Sequence, residues 1–231
     1  MRIDIISGFP SFLESPLRTS IMRQAKKKKL VQIRVHDLRK FTHDKHKTID
    51  DTPYGGGAGM ILKPEPIFEA IDSLQSKRMY DEVIYLSAEG ETFNQKIAND
   101  LSLKKNLIFL CGHYKGVDER VREKMVTREI SIGDYVLTGG ELPALVVIDA
   151  IVRLIPGVLG DGESLLTDSF QTDLLDAPQY TKPAEYRSMS VPDVLLSGDH
   201  KKIEHWRHDQ RFERTKLRRT DLLQLREKEQ Q

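Results

Sequence analysis

The chain has 231 residues, of which 39% are hydrophobic and 31% charged, a balance that suits one large globular domain or a medium domain with a small companion. Its formal net charge is +1, so overall charge does not indicate an acidic partner and only local clusters can do so. Cys111 is the single cysteine, which excludes an internal disulfide and a cysteine-rich zinc site.

Signals for export or membrane insertion are not recognisable in the sequence. Met1 is followed directly by the charged residues Arg2 and Asp4, unlike a secretory signal. No apolar run is long enough for a membrane span. We therefore expect a cytoplasmic protein without a membrane partner.

Short apolar segments alternate with helical patterns through the first two-thirds of the chain. Strands are predicted at RIDIIS, LVQIRVHDL, EVIYLSA, NLIFLCG and EISIGD, which begin at Arg2, Leu30, Glu82, Asn106 and Glu129. Helices are predicted after Pro64, over Asn94 to Leu101, over Asp118 to Met125, and over the apolar stretch that follows Gly139 and Gly140. This alternation predicts an α/β fold in which helices pack on a parallel sheet.

The composition changes near Gly157. The segment that follows is rich in glycine and acidic residues and is typical of a linker, and beyond it lie several prolines and a basic helical tail. We therefore predict a first domain over residues 1–158, a linker over 159–170 and a small helical C-terminal domain over 171–231.

Three glycine-bearing loops follow predicted strands: YLSAEG from Tyr85, CGHYKGVDER from Cys111 and IGDYVLTGGELP from Ile132. Loops at the carboxyl ends of parallel strands meet in one crevice, so we expect a shared ligand pocket with Tyr85, Tyr114 and Tyr135 beside it. The alternative that each glycine only makes a turn stays open. No nucleotide phosphate motif accompanies these loops.

A fourth glycine segment, YGGGAGM, begins at Tyr54 and is too dense in glycine for a simple turn, so a ligand or backbone is expected to approach it closely. His43 and His46 precede it, but no third ligand lies nearby in the sequence, which favours a surface role and no metal site.

The basic tail from His200 to Arg219 is predicted to be a helix. Its face of arginines at positions 207, 211, 214 and 218 indicates RNA or DNA binding, although a solvated charged face is the open alternative. Ile203, Trp206 and Leu217 form an adjoining apolar stripe that is expected to dock the helix on its own domain.

Two further positions have both a functional and a plain structural interpretation. Arg153 ends the helix that follows the glycine pair, where the helix dipole alone favours a cation. Asp168 would serve equally as the N-cap of a following helix.

Seven segments together resemble the bacterial tRNA (guanine-N1-)-methyltransferases over nearly the whole chain: KHKTIDDTPYGGGAGM, CGHYKGVDER, SIGDYVLTGGELPA, RLIPGVLG, DSF, LLDAPQYTKP and RRTDLL. The resemblance implies methylation of the guanine on the 3′ side of the tRNA anticodon (m1G37), with S-adenosylmethionine (SAM) as the donor. It implies a SPOUT-type α/β fold with a deep trefoil knot, and a homodimer whose site combines residues of both subunits. The small C-terminal domain would grip tRNA.

The resemblance also implies roles for individual residues. Asp168 would be the general base and Arg153 the cation that stabilises charge on O6 of guanine. Gly139 and Gly140 would leave room for the donor against the main chain. The donor would be bound by Tyr85, Leu86, Ser87, Gly112, Tyr114, Gly116, Ile132, Gly133, Tyr135, Leu137, Gly139, Gly140 and Pro143. The tRNA would be bound by Gly55, Gly57, Gly59, His200, Arg207, Arg214 and Arg218.

Two positions depart from the family pattern. Lys115 and Thr167 stand where the family usually has carboxylates, and both reduce the negative charge of the site. This argues against the magnesium requirement that the resemblance implies. Two rival functions stay open: a non-catalytic RNA-binding protein, which donor binding would exclude, and a methyltransferase of another RNA base, which mapping the product would decide.

Overall fold

A computed structural model of the chain describes residues 1–159 and 168–229. The chain divides into two units, Met1–Gly160 and Asp161–Gln231, here called the first and second units. Most of the predicted linker, residues 160–167 with Thr167 among them, lies outside the described residues.

The first unit contains a five-stranded sheet in which every neighbouring pair is parallel, in the order β2-β1-β6-β5-β7. The strands are β1 (Arg2–Ser7), β2 (Gln32–Asp37), β5 (Glu82–Thr92), β6 (Asn106–Cys111) and β7 (Arg128–Ser131). A separate two-stranded ribbon pairs β3 (Asp50–Asp51) with β4 (Ile61–Leu62). The predicted α/β fold with a parallel sheet is confirmed.

Helices cover both faces of this sheet. They are α1 (Ser11–Glu14), α2 (Ser20–Lys27), α3 (Pro64–Gln75), α4 (Gln95–Ser102), α5 (Glu119–Met125) and α6 (Glu141–Val152). Because side chains alternate along a strand, Ile5 packs into a core with α2, α4 and α6, whereas Ile6 packs into a second core with α3 and α5. Strands buried on both faces explain the continuous apolar runs in the sequence.

Strand β5 is longer than predicted. It continues to Thr92 because its pairing with β7 shifts, so that both Leu86 and Glu91 lie opposite Ile130. Gly90 allows this close return: a Cβ atom there would lie 2.5 Å from the main-chain nitrogen of Ile130. The loop between the two paired segments of β5 is thereby held beside β7.

A buried polar cluster lies on the first strand. Asp4 is fully buried and accepts hydrogen bonds from Arg2 and from the hydroxyl of Tyr80, and it also pairs with Nε2 of His36. Burial alone would raise the pKa of Asp4, but the hydrogen bonds from His36, Arg2 and Tyr80 outweigh it and hold the pKa well below its usual range. A buried charge of this kind is tolerated because it is paired.

The second unit is mostly helical. Its helices are α7 (Asp193–Leu196), α8 (His200–Arg218) and α9 (Thr220–Glu229), and a short hairpin pairs β8 (Glu185–Tyr186) with β9 (Met189–Ser190). Thr215 is fully buried; its hydroxyl donates to the carbonyl of Arg211 at 2.7 Å and accepts from the N–H of Leu175 at 2.9 Å.

Two local predictions for the second unit were wrong. Leu217 does not help to dock α8, because 83% of its surface is exposed and the buried position on that turn is Thr215. Asp168 is not the N-cap of a following helix, since the described residues after it form turns and its carbonyl accepts from the N–H of Gln171. No helix in the described ranges is long and apolar enough to cross a lipid bilayer.

Candidate active site

A cavity of about 200 Å³ opens beside the irregular part of β5 and the carboxyl ends of β6 and β7. We call it the loop cavity, because all of its described lining residues except Arg122 of α5 fall within residues 85–89, 112–117 and 130–143. All thirteen residues predicted to bind the donor line it: Tyr85, Leu86, Ser87, Gly112, Tyr114, Gly116, Ile132, Gly133, Tyr135, Leu137, Gly139, Gly140 and Pro143. The expectation that three glycine loops share one pocket is thus met by the fold.

Tyr85 forms part of the base of the loop cavity. It is buried, and burial raises the pKa of its hydroxyl to about 12 although the nearby Arg122 guanidinium acts in the opposite direction. The hydroxyl is therefore neutral near pH 7. Gly112 and Gly116 lie against this ring: a Cβ atom on Gly112 would meet Cε2 at 2.9 Å, and one on Gly116 would meet the hydroxyl oxygen at 3.2 Å.

The wall of the loop cavity to which residues 130–143 contribute has no charged side chain among its described lining residues and is partly apolar. Val136 is 89% exposed and the rings and chains of Tyr135 and Leu137 are also accessible. Gly133 has φ +146°, and a Cβ atom there would lie 2.5 Å from Cε1 of Tyr135, so only glycine lets this loop turn beneath the ring. Exposed apolar groups on a concave wall are typical of a surface that a flat ligand covers.

The glycine pair before α6 owes its composition to contact between two chain segments. The N–H of Gly140 donates to the carbonyl of Gly112 at 2.8 Å. A Cβ atom on Gly140 would lie 2.8 Å from Cα of Cys111, and one on Gly139 would lie 2.6 Å from Nδ1 of His113. The first explanation for these glycines is therefore steric: the start of α6 passes directly against the loop that follows β6.

The one thiol of the chain does not serve as a nucleophile in this arrangement. Cys111 is buried at the end of β6, and burial raises the pKa of its thiol well above the usual value, with a smaller contribution from Glu141. Glu141 is itself buried and accepts a hydrogen bond from the hydroxyl of Ser7 at 2.6 Å. The hydrogen bond between Ser7 and Glu141 links α6 to the sheet, and the raised pKa of the thiol disfavours covalent catalysis by Cys111.

Residues 54–60, here called the glycine loop, adjoin the loop cavity. Gly55, Gly56 and Gly57 have positive φ angles, and a Cβ atom on any of them would have no neighbour within 4 Å. Glycine is needed at these three positions for the backbone conformation and not for close packing. The expectation that another main-chain segment approaches them closely was therefore wrong. At Gly59 the situation differs, because the side chain of Lys115 lies against it and links the glycine loop to the cavity wall.

Arg153 lies away from the loop cavity of its own chain. It is the C-cap of α6 and lines a separate groove with Leu145, Val146 and Asp149. The helix has 12 residues, so its two ends are about 18 Å apart. The other predicted catalytic residue, Asp168, is half-buried and belongs to the second unit.

The predicted arginine face of α8 is divided by burial. Arg207 and Arg218 are exposed, as is His200 at the start of the helix. Arg211 and Arg214 are half-buried, and each has a buried Nε atom without a hydrogen-bond partner. Arg211 donates from Nη2 to the hydroxyl of Thr172 at 3.0 Å. Two of the four arginines therefore belong partly to the packing of the second unit.

Sequence reasoning singled out Lys115, which lines the cavity, but overlooked two other charged lining residues. These are Glu89 and Arg122, which pair with each other, with Nη2 and Oε2 2.7 Å apart. Arg122 lies on α5, just beyond the CGHYKGVDER segment, and its place in a helical pattern gives no sign that it lines the cavity. Glu89 falls within the loop after Tyr85, so its position after a buried strand was the one available indication.

Comparison with known proteins shows the family of the chain. Residues 1–225 match the family described as "tRNA (Guanine-1)-methyltransferase TrmD". A protein of Azobacteroides pseudotrichonymphae genomovar. CFP2 is 60% identical over 222 residues, which cover 96% of this chain and 100% of that protein. For a protein of Chlorobaculum tepidum the identity is 57% over 223 residues, covering 96% and 97%. Both are named tRNA (guanine-N(1)-)-methyltransferase. The chain therefore belongs to the tRNA (guanine-1)-methyltransferase family.

Proposed function

We propose that this chain transfers a methyl group from SAM to N1 of the guanine on the 3′ side of a tRNA anticodon, position 37. The observation that carries the proposal is the loop cavity, where all thirteen residues expected to bind the donor lie together. The names of the relatives support guanine N1 of tRNA as the acceptor.

The loop cavity suits the adenosine part of the donor. Main-chain groups around Ile132, Gly133, Tyr135 and Leu137 would recognise the adenine, and the exposed apolar groups of that wall would cover its ring. Leu86, Ser87, Gly112 and Gly116 would close the other sides. SAM, when bound, supplies an electrophilic methyl group on a sulfonium.

The acceptor needs a base, because N1 of guanine carries a proton at neutral pH. In our proposal the Asp168 carboxylate takes that proton as the N1–methyl bond forms and the methyl–sulfur bond breaks, which leaves S-adenosylhomocysteine. As N1 loses its proton, negative charge develops on O6 of guanine, and the Arg153 guanidinium would stabilise it until the methyl group has been transferred.

A homodimer is part of the proposal. Within one chain α6 separates Arg153 from the loop cavity, so the arginine would serve the cavity of a second copy. The outward face of α6 supports this, because Leu142 and Val146 are about half exposed and Phe12 is exposed as well. Sedimentation equilibrium at micromolar concentration tests the assembly; a monomer that methylates tRNA would contradict a shared site.

The trefoil knot is the finer part of the fold that we propose. The match to the family supports it, and the close contact between Gly140 and the Cys111–Gly112 main chain is compatible with it. Knots are rare, and without the family resemblance the rule against threaded loops would argue otherwise.

The tRNA would contact basic residues of the second unit and the glycine loop of the first. His200, Arg207 and Arg218 present exposed side chains on α8, and Arg214 presents a half-buried one. Gly55, Gly57 and Gly59 lie in a loop whose exposed main chain is accessible to RNA. Arginine and main-chain N–H groups are the usual contacts of a phosphate backbone.

Magnesium does not fit the described residues of the site. No group of three or more His, Cys, Asp or Glu side chains within residues 1–159 and 168–229 is arranged to hold a metal ion. Glu89 is the one carboxylate on the described lining of the loop cavity, and it is paired with Arg122. A magnesium ion normally needs one or two available carboxylates.

The proposal is tested by incubating the protein with methyl-labelled SAM and an unmodified tRNA that carries guanine after the anticodon. We expect label on N1 of that guanine, located by nuclease digestion and mass spectrometry. A tRNA with adenine at the same position is the control and should gain no label. Label on another nucleotide would contradict the acceptor, and a protein that binds tRNA but not SAM would be a non-catalytic RNA-binding protein.

Asp168→Asn tests the base. Because the amide does not take the proton, single-turnover methylation should fall by about 10²- to 10⁴-fold while SAM affinity stays unchanged. Asp173→Asn, at an exposed aspartate of the same segment, is the matched control and should retain activity. Near-normal methylation by the Asp168 variant would remove that residue from the role.

A further inference from the structure

The two walls of the loop cavity differ in charge. The lining contributed by residues 130–143 contains no Asp, Glu, Lys or Arg among the described residues. The charged lining residues are Glu89, Lys115 and Arg122. Glu89 comes from the loop between the two paired segments of β5, Lys115 from the loop after β6 and Arg122 from α5. A ligand with a neutral ring at one end and charges at the other would therefore enter in one orientation.

Two of these three charges are already engaged by the protein. Arg122 is within 2.7 Å of Glu89, 2.9 Å of Glu129 and 3.2 Å of Glu119. The hydrogen bonds that Arg122 donates to Glu129 and to Glu89, in that order of effect, raise the pKa of Arg122 above its already high value. This cation is therefore permanently charged and shared among three carboxylates. It has little remaining attraction for a ligand anion.

Lys115 is the charge on the described lining that has no ion pair with a described residue. Its side-chain stem is nevertheless held in place. A Cβ atom on Gly59 would lie 3.0 to 3.2 Å from its Cγ, Cδ and Cε atoms, and its N–H donates to the carbonyl of Met60 at 3.1 Å. A stem that packs on the glycine loop loses less conformational entropy when its ammonium group binds a ligand.

We propose that the Lys115 ammonium binds the carboxylate at the amino-acid end of the donor. The inference rests on the proposed function, in which the donor is SAM, and it deepens that function. The neutral wall takes the adenosine, so the amino-acid end faces the charged wall, where the uncompensated charge is a cation. The ammonium group of the donor then faces Glu89.

This contact gives the site a fixed cation in place of a divalent ion. The ammonium group meets a ligand carboxylate directly, without the carboxylate ligands that magnesium needs. Donor binding in this protein is therefore independent of magnesium.

The test is donor binding measured by calorimetry without RNA, so that it does not depend on turnover. We compare SAM with decarboxylated SAM, which lacks only the carboxylate, for the wild type and for Lys115→Met. The wild type should bind SAM about tenfold more tightly than the decarboxylated compound, the size expected for one charged hydrogen bond. Lys115→Met should bind the two compounds equally.

Two controls complete the experiment. Lys124→Met, at an exposed lysine of α5 that does not line the cavity, should behave as the wild type. Lys115→Arg keeps the charge and should retain most of the preference for SAM, which separates a charge effect from a folding defect. Addition of magnesium or EDTA should leave the wild-type dissociation constant unchanged.

The outcomes are distinguishable. If Lys115→Met keeps the preference for SAM, the lysine does not hold the carboxylate, and weaker tRNA binding by that variant would assign it to an RNA phosphate instead. A wild-type affinity that rises with magnesium would overturn the fixed-cation inference. Failure of the wild type to bind SAM at all would reject the proposed function itself.

Discussion

The glycine loop and the glycine pair before α6 look alike in sequence but need glycine for different reasons. Gly56 has φ +78° and open space where a Cβ atom would lie. Gly140 has an ordinary φ of −80°, yet a Cβ atom there would meet the main chain of Cys111 at 2.8 Å. The first position needs the conformational freedom of glycine, whereas the second needs its small volume.

The difference separates a surface feature from a structural contact. Where glycine supplies conformation only, the loop remains exposed and accessible to a partner. Where glycine supplies volume, two segments are fixed against each other, and here they are the segments that shape the loop cavity. Substitutions that change side-chain volume and tolerance of positive φ in different ways distinguish the two kinds of glycine.

Gly140→Ala should have the largest effect, because the clash is with main-chain atoms that are not able to rotate away. We expect the first unit to be destabilised by about 3 kcal/mol, the upper part of the range for overpacking. Labelling of the buried thiol of Cys111 under mild denaturant should accelerate by roughly two orders of magnitude. Trp206, the single tryptophan, lies in the second unit. Its fluorescence is the internal control and should not change.

Gly116→Ala should have an intermediate effect, since this glycine combines both requirements. Its φ is +121°, and a Cβ atom would lie 3.2 Å from the Tyr85 hydroxyl. We expect a loss of about 2 kcal/mol from strain and crowding together. In a Tyr85→Phe background the crowding is relieved, so the same substitution should cost about 1 kcal/mol less there; equal costs in both backgrounds would mean that conformation alone decides.

Gly56→Ala should have the smallest effect, about 1 kcal/mol from left-handed backbone strain. Asparagine tolerates this conformation better than alanine, so Gly56→Asn should be milder than Gly56→Ala. At Gly140 the order should reverse, because asparagine is larger. Thiol labelling of the four variants provides the measurement, and the same order at both positions would refute the distinction.

The sequence allowed the sheet to be predicted because its strands are short, apolar and buried on both faces. The loop cavity followed from the same pattern, since parallel strands bring their carboxyl ends together. Periodicity did not reveal the extension of β5 to Thr92, because that segment is polar and is held by a shifted pairing with β7.

Contacts between distant segments were the part that sequence reasoning did not reach. The packing of Lys115 on Gly59, and of Gly140 on Cys111, joins loops that share no local pattern. The helix that carries the four arginines, α8, was predicted correctly. The spacing of the arginines did not show which of them pack against the helix's own domain. Thr215 is buried where Leu217 was expected, and its hydroxyl accepts a hydrogen bond from Leu175, a long-range contact that the hydrophobic pattern does not reveal.

The strand order has a consequence for synthesis on the ribosome. β1 leaves the ribosome first, yet in the finished sheet it lies between β2 and β6, and β6 begins only at Asn106. At about 5–20 residues per second, the unpaired edge of β1 waits on the order of ten seconds for its second neighbour. Throughout that interval the nascent chain exposes an isoleucine-rich edge to which chaperones or other nascent chains would bind.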